Sequence, residues 1–219
     1  MKLPFADRAQ AGRLLGERLS QLRFSAPPVV LALPRGGVPV GAEVARALQA
    51  PLDLLLVRKI GTPWQPELAL AAVVEGDPPQ IVVDEEVQRN VRSDAGYIER
   101  QAQIELREIA RRRQVYLRGR APVPLAGRSV VVVDDGIATG TTMRAALKAL
   151  GRRGAAQRVL AVPVAPQDTL ERLRAEVDEV VCLATPLPFR AVGAHYLQFP
   201  QLEDAEVIAA LDAAARAGR

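Results

Sequence analysis

The chain has 219 residues, of which 25% are charged and 49% hydrophobic, and a formal net charge of +4. This composition is ordinary for a soluble globular protein, and the length allows a sizeable core. Cys182 is the single cysteine, which excludes an intrachain disulfide, and no run approaches the ~20 apolar residues that span a bilayer. We therefore expect a soluble cytoplasmic protein without a membrane partner. The mild positive charge fits an anionic small ligand or weak nucleic-acid affinity and decides nothing alone.

The first elements are a helix, a strand and a second helix. Apolar residues at helical spacing predict an amphipathic helix over residues 7–23, with Asp7 as its N-cap. A buried strand is predicted over 29–33, and a helix that ends near Leu48 follows it after a short loop.

That loop, Pro34-Arg35-Gly36-Gly37, suits an anionic ligand. The glycines Gly36 and Gly37 permit a close approach of the backbone to a ligand. Arg35 places a fixed cation at the strand end, where it can make a forked contact with phosphate. Taken alone, the loop could equally be a tight turn with a solvated arginine.

The next apolar strand, predicted over 52–57, ends in Arg58 and Lys59. Residues 60–67 then carry Gly, Thr, two prolines and the one tryptophan, Trp64. We expect this segment to be a mobile lid that closes over a site, with a plain surface hairpin as the alternative. Strands over 68–74 and 81–83 follow. The roles of Trp64 and of Glu67, an acid in the same segment, stay open.

A long helix is predicted over 94–117. The stretch 99–120 is rich in arginine, and such a run is more often a solvated face than a nucleic-acid surface. Because no series of aromatic residues is interleaved to form a stacking surface, we do not expect nucleic acid as a partner. Residues 120–128 form a linker into the next strand.

The central stretch is a run of four valines, 130–133, followed by two carboxylates and a loop rich in Gly and Thr, Asp134-Asp135-Gly136-Ile137-Ala138-Thr139-Gly140-Thr141-Thr142. The valine run predicts a strand buried on both faces. Ligands bind outside the carboxyl ends of parallel strands, and backbone amides at a helix N-terminus suit a phosphate. The stretch therefore predicts a site in which carboxylates meet sugar hydroxyls and amides meet a phosphate.

Two other motifs fit this stretch poorly. A P-loop needs Lys after Gly140, where Thr141 stands. A receiver domain pairs two aspartates but needs a further strand-end Asp and lacks the Thr-Gly-Thr-Thr loop. The remaining alternative is an ordinary strand–turn–helix junction.

The last third alternates helices and strands. Helices are predicted over 141–153 and 169–175, and strands over 159–164 and 177–183. This order argues for a parallel sheet with right-handed crossovers. A final helix is predicted over 204–215.

The tail over 184–199 follows a strand end and can overhang the site. Phe189 and Tyr196 are candidates for stacking on a ring. His195, the single histidine, is more readily explained as structural or solvent-exposed.

The stretch 130–142 resembles the 5-phosphoribosyl-1-pyrophosphate (PRPP) motif of type I phosphoribosyltransferases, and the loop at Arg35 resembles that family's pyrophosphate loop. The resemblance spans roughly residues 26–183. It implies an α/β fold, namely an open, mainly parallel twisted sheet flanked by helices. The chain would be a single domain, 1–219, with a core of about 26–183, a helical insertion at 94–117 and a small hood over the strand ends from 184–200, to which N-terminal residues can add.

The resemblance also implies an enzyme of nucleotide metabolism and salvage. It would transfer the phosphoribosyl group from PRPP to a nitrogenous base, release pyrophosphate and depend on Mg²⁺. The reaction would rest on Asp134, Asp135, Lys59 and Arg35, and we expect a homodimer. The paired aspartates would hold the ribose hydroxyls, directly or through water on Mg²⁺. The 5-phosphate would lie on Thr139, Gly140, Thr141 and Thr142, and Gly136 and Ala138 of the same loop would also touch the substrate. The pyrophosphate would lie on Arg35, Gly36, Gly37, Arg58 and Lys59, and the base on Phe189 and Tyr196.

Ala138 departs from the family pattern. Members that act on 6-oxopurines often have Asp there, which argues against a hypoxanthine–guanine type and leaves the base unnamed. An alternative from a different class is a regulator that binds PRPP or nucleotides without catalysis.

Overall fold

A computed structural model describes residues 3–91 and 96–217. Its largest sheet has five strands, all parallel. From one edge to the other they are β2 (Leu52–Leu54), β1 (Pro28–Ala32), β6 (Ser129–Val133), β7 (Gln157–Val164) and β8 (Glu179–Ala184). The prediction of a mainly parallel α/β sheet is confirmed.

The valine run forms the centre of this sheet, because β6 lies between β1 and β7 and all five of its residues are buried. Successive side chains of a strand point to opposite faces. On one face those of β6 pack against α5 (Thr141–Leu150). On the other they pack against α1 (Arg8–Leu19) and α2 (Gly37–Leu48). A strand covered on both sides needs apolar residues at every position, which explains the unbroken run.

A second, antiparallel sheet consists of β3 (Val57–Gly61), β4 (Ala69–Val74) and β5 (Gln80–Val83). The single strand predicted over 52–57 is therefore wrong. The chain leaves the parallel sheet after β2, and Leu55 and Leu56 connect the two sheets as buried residues. Leu55 and Leu56 are apolar because they are buried between the two sheets, and not because a strand continues through them.

The segment expected to be a lid takes the hairpin form. Gly61 belongs to β3, and the turn that follows is closed by hydrogen bonds from the Thr62 amide to the Leu68 carbonyl and from the Leu68 amide to the Gln65 carbonyl, both 2.9 Å. Trp64 is 87% exposed at this turn.

The helices that remain are α3 (Glu85–Asn90), α4 (Tyr97–Leu117), α6 (Gln167–Leu173) and α7 (Asp204–Ala217), with 3-10 turns at Arg174–Glu176 and Val192–His195. Of these, α3 and α4 contact the second sheet and α7 contacts β2, at one edge of the first. The sequence did not predict α3. The predicted helix start at 94 and its first apolar residue, Ala95, lie outside the described residues. Within residues 3–91 and 96–217, no helix is both long enough and apolar enough to cross a membrane.

Candidate functional site

The paired carboxylates lie at the carboxyl end of β6. The backbone amide of Asp135 donates to Oδ1 of Asp134 at 2.8 Å, which fixes the turn between them. Burial raises the pKa of Asp134 well above its usual value, and the neighbouring Asp135 raises it further. Burial also raises the pKa of Asp135, against the opposing effect of a hydrogen bond from Arg8. The strand end thus holds two adjacent acids that water reaches poorly.

The loop after the acids ends at a helix N-terminus, as expected. Gly140 has φ +78°, a left-handed conformation that favours glycine, and α5 begins at the next residue. The hydroxyl of Thr169 in α6 donates to the Ala138 carbonyl at 3.0 Å and so supports the loop from outside.

A cavity of about 190 Å³ opens at this loop, between Thr139–Thr141 and Arg144, Arg172, Asp84 and Glu86. The Arg144 guanidinium lies 2.6 Å from the Asp84 carboxylate, and Arg172 donates to the Thr169 hydroxyl at 2.9 Å. Two guanidinium groups and two carboxylates therefore line a space at the start of α5 that is large enough for a phosphate group.

The loop Pro34–Gly37 is in direct contact with the acids. Parallel pairing of Ala32 with Val133 brings the two strand ends together. A Cβ on Gly36 would overlap the Asp135 carboxylate, and one on Gly37 would lie 2.8 Å from the Val133 carbonyl oxygen. Glycine is required here because the backbone of one loop lies against the side chain of the other.

Arg35 stands beside the first residue of α7. Its Nη1 lies 4.0 Å from Oδ1 of Asp204, and the same carboxylate oxygen accepts a hydrogen bond of 2.7 Å from the Tyr116 hydroxyl in α4. The C-terminal helix thus supplies the counter-ion of the loop cation.

Arg58 and Lys59 do not lie at a strand end, because both belong to β3, opposite Val73 and Ala72. Adjacent strand residues point to opposite faces. Arg58 is paired with Glu105 of α4 at 2.6 Å, whereas the side chain of Lys59 is exposed. Only Arg58 of the two lines a small cavity, about 40 Å³, next to Pro34 and Thr142.

The tail folds over the acids as a hood. Tyr196 is 6% exposed, and its ring packs against Phe5 and Phe199 at centroid distances of 5.4 and 4.9 Å. Its hydroxyl donates to the Asp135 carbonyl at 2.5 Å. The structure therefore does not present Tyr196 to a base, because this ring is part of the hood's own core. Phe189 packs instead on His195, at 5.0 Å.

N-terminal residues complete the hood. Backbone hydrogen bonds of 2.8 Å join the Phe5 amide to the His195 carbonyl and the Leu197 amide to the Phe5 carbonyl. Between the hood and the Arg35 loop lies an open cavity of about 520 Å³, lined by Arg8, Arg35, Gly36, Asp135 and residues 199–202. This cavity is large enough for a small ligand and places it between a guanidinium group and a carboxylate.

Four arginines at the site were missed by the sequence interpretation: Arg8, Arg112, Arg144 and Arg172. Arg144 stands one turn after Gly140 on the same helix, a spacing that could have identified it. The other three come from elements that only the fold brings near, and nothing local separates them from the many surface arginines.

Another cavity, about 340 Å³, lies away from the predicted site residues. Arg113 bridges Glu75 at 2.7 Å and Asp53 at 3.2 Å within its wall. The carboxylates also accept from the backbone amides of Leu56 and Val123. These ions satisfy one another and hold α4 to both sheets, so we assign them a structural role.

Comparison with known proteins agrees with this geometry. The sequence model of the family described as phosphoribosyl transferase domain matches residues 7–198. Proteins of two Mycobacterium tuberculosis strains, CDC 1551 / Oshkosh and H37Rv, are each 51% identical to it over 216 residues. Both carry a provisional phosphoribosyl transferase name. The aligned region covers 99% of this chain and 48% of each relative, so the chain spans about half the length of these curated relatives.

A solved structure is similar along nearly its whole length. The crystal structure of TT1426 from Thermus thermophilus is 46% identical in sequence, covers 95% of this chain and 98% of its own, and superposes with a TM-score of 0.83. The overall fold is thus shared with that protein.

Proposed function

The chain belongs to the phosphoribosyl transferase domain family, and on that premise we propose that it transfers the 5-phosphoribosyl group of PRPP to a nitrogenous base. One observation carries the proposal: the Arg35 loop lies directly against Asp135, so a single ligand can reach both. PRPP carries a pyrophosphate and a phosphate on one ribose, with the sugar hydroxyls between them, and fits such an arrangement.

The substrate would lie across three contiguous surfaces. The 5-phosphate would occupy the cavity at Thr139–Thr141, where amides at the start of α5 and Arg144 favour an anion. The ribose hydroxyls would meet Asp134 and Asp135. The pyrophosphate would extend toward Arg35 and the amides of Gly36 and Gly37, in the cavity under the hood.

The reaction would be a substitution at C1 of the ribose. The bond from C1 to the pyrophosphate oxygen breaks, and its electron pair leaves with the pyrophosphate. A nitrogen of the base forms the new bond to C1, and its proton passes to the released pyrophosphate or to water. The transition state has oxocarbenium character, as in glycosyl transfer generally. Arg35 would stabilise the charge that develops on the leaving group, and the hood would exclude water.

Mg²⁺ fits the site only in a limited way. Among the described residues, no group of three or more His, Cys, Asp or Glu side chains could hold a metal ion. The pair Asp134 and Asp135 would hold the ion, with most other ligands coming from phosphate oxygens and water, as Mg²⁺ prefers. When bound, the ion would neutralise charge on the pyrophosphate.

Calorimetric titration with PRPP and Mg²⁺, followed by a screen of free bases for pyrophosphate release, tests the proposal. We expect binding and turnover of at least one base. The double variant Asp134→Asn, Asp135→Asn should lose PRPP binding while its thermal unfolding stays cooperative. Asp178→Asn, at an exposed carboxylate that pairs with Arg158 just before β8, is the matched control and should bind as the wild type does.

Two outcomes would change the proposal. Binding of PRPP without turnover on any base would favour a regulator that uses the same site. Absence of PRPP binding, or full affinity in the double variant, would contradict the site assignment itself. A homodimer and a cytoplasmic location remain expectations that sedimentation and cell fractionation can examine.

A further inference from the structure

We propose that Arg8 is a positioning residue, which orients Asp135 for the ribose and ties the hood to that carboxylate. The ribose part of this inference rests on the proposed function, whereas the link to the hood does not. Arg8 is the first residue of α1 and stands 127 positions before Asp135.

Arg8 is almost entirely enclosed. It is 8% exposed, unusually low for an arginine, which is almost never fully buried unless paired. Its Nε donates to Oδ2 of Asp135 at 2.7 Å, and its Nη1 donates to the Pro200 carbonyl at 2.9 Å. Its guanidinium carbon lies 3.7 Å from the centroid of the Phe199 ring. The cation is thus held in three directions at once.

The hydrogen bond from Arg8 restrains one of the two acids at the end of β6. Asp134 and Asp135 are adjacent and only partly exposed, and the Arg8 guanidinium holds Oδ2 of Asp135. This contact limits the rotation of the Asp135 carboxylate. A ribose hydroxyl would then meet an acceptor that is already held in place.

The same hydrogen bonds join the acid to the hood. Pro200 and Phe199 belong to the hood segment that Arg8 touches, while the Tyr196 hydroxyl donates to the Asp135 backbone carbonyl. Asp135 is therefore held through its side chain by Arg8 and through its backbone by Tyr196. Movement of the hood and reorientation of Asp135 cannot be independent, because one guanidinium is bonded to both.

Arg8 lines the cavity under the hood, but its Nε and Nη1 bond to protein groups, which distinguishes it from Arg35 and Arg144. Arg35 and Arg144 face a single carboxylate each, at 4.0 and 2.6 Å, with side chains 34% and 40% exposed. The side chain of Arg8 is 10% exposed. We therefore expect Arg8 to act on the ligand through Asp135.

The first test compares two ligands that differ only in the sugar. Calorimetry with ribose 5-phosphate and with inorganic phosphate is run on wild type, Arg8→Gln and Arg8→Lys. Loss of one hydrogen bond to a charged group predicts that Arg8→Gln weakens ribose 5-phosphate binding by about tenfold or more. Its binding of inorganic phosphate should stay within about twofold, since Asp135 accepts from the sugar and not from the phosphate. Lysine retains the charge beside Asp135 and should restore part of the affinity.

The control is Arg13→Gln, which removes an exposed arginine from the same helix. It should leave both affinities unchanged. Unchanged or tighter ribose 5-phosphate binding by Arg8→Gln, or an equal loss for both ligands, would overturn the positioning role. If the wild type binds neither ligand, both the proposed function and the role of Arg8 in orienting Asp135 for the ribose are contradicted.

The second test needs no ligand. Amide hydrogen exchange should rise over residues 196–201 in Arg8→Gln and stay unchanged in Arg13→Gln. Lysine cannot donate in two fixed directions as the guanidinium does, so Arg8→Lys should also loosen the hood. A further variant, Phe199→Leu, leaves the ion pair between Arg8 and Asp135 in place and should raise amide exchange at residues 134–136. It provides the test if Arg8→Gln does not fold. Unaltered exchange at both segments would refute the link between hood and acid.

Discussion

Gly36 lies against the carboxylate of Asp135, so closely that a Cβ on Gly36 would overlap that side chain. The two residues are 99 positions apart and meet because β1 and β6 are paired in parallel, with Ala32 opposite Val133. This proximity joins the loop that carries Arg35 to the loop that carries the acids, and it makes one site of two sequence motifs.

Gly36→Ala should therefore weaken PRPP binding. One of the two loops must move to make room for the methyl group, and the Asp135 carboxylate would leave its place. We expect a loss of affinity of about tenfold or more by calorimetry, in line with the displacement of one charged group.

The control for this change is Gly76→Ala, in the loop between β4 and β5, where a Cβ would lie 2.9 Å from the Pro78 carbonyl oxygen. This position is also crowded but lies outside the site, so the change should lower the melting temperature without a matching loss of affinity. An unaltered affinity in Gly36→Ala would show that the two loops do not act as one site.

Arg112 should contribute to pyrophosphate binding, although it belongs to the arginine-rich helix α4. It lines the small cavity that Pro34, Arg58 and Thr142 share. Replacing Arg112 by Gln should weaken the binding of inorganic pyrophosphate by about three- to tenfold. The effect is modest because solvent and salt screen the attraction between a partly exposed cation and the anion.

Arg111→Gln is a matched control from the same helix. Arg111 and Arg112 both bond to Glu108, each with a shortest distance of 2.7 Å, but the Arg111 side chain is 58% exposed and Arg112 31%. Pyrophosphate affinity should be unaffected by Arg111→Gln. Equal effects of the two variants would mean that only the overall charge of the helix matters.

Asp84 should compete with a bound phosphate for Arg144. Its Oδ2 is paired with the Arg144 guanidinium, while its Oδ1 caps α3 by accepting from the amides of Glu86 and Val87. Asn retains the capping oxygen and removes the charge. Asp84→Asn should therefore tighten phosphate binding by about three- to tenfold in calorimetry, and Arg144→Gln should weaken it by a similar factor.

Lys148→Gln provides the comparison for Arg144→Gln. Lys148 lies one turn further along α5 and pairs with Glu176 at 3.9 Å. Phosphate affinity should not change when it is replaced. A weaker affinity in Asp84→Asn would indicate that Asp84 supports the cavity and does not oppose the ligand.

Cys182 should be an unreactive thiol in the folded protein. Burial raises its pKa from 9.0 to about 11. At neutral pH the thiolate fraction, and with it the rate of alkylation, should be about 100-fold lower in the folded than in the unfolded chain. Iodoacetamide labelling followed by mass spectrometry, with and without denaturant, measures this ratio directly. Equal rates in the two conditions would contradict the burial of the sulfur.

The sequence alone determined the α/β class and the central motif, for a local physical reason. A strand covered on both faces must be apolar at every position, so the valine run predicted β6 and its place in the sheet. The Gly and Thr residues after Asp134 and Asp135 set the turn and the start of α5 within a few positions. These patterns depend on residues that are close together in the chain, so they can be recognised from the sequence alone.

Only the tertiary structure decided which distant groups meet at that motif. Leu55 and Leu56 are as apolar as the residues inside a strand. Only the structure shows that β2 ends before them and that they connect the two sheets. The sequence makes Tyr196 a candidate for stacking on a base, yet it packs inside the hood, because Phe5 from the other end of the chain covers it. Arg8 looks like any surface arginine until Asp135, Phe199 and Pro200 surround it. Such proximity depends on pairing and packing across the whole chain, and no local pattern encodes it.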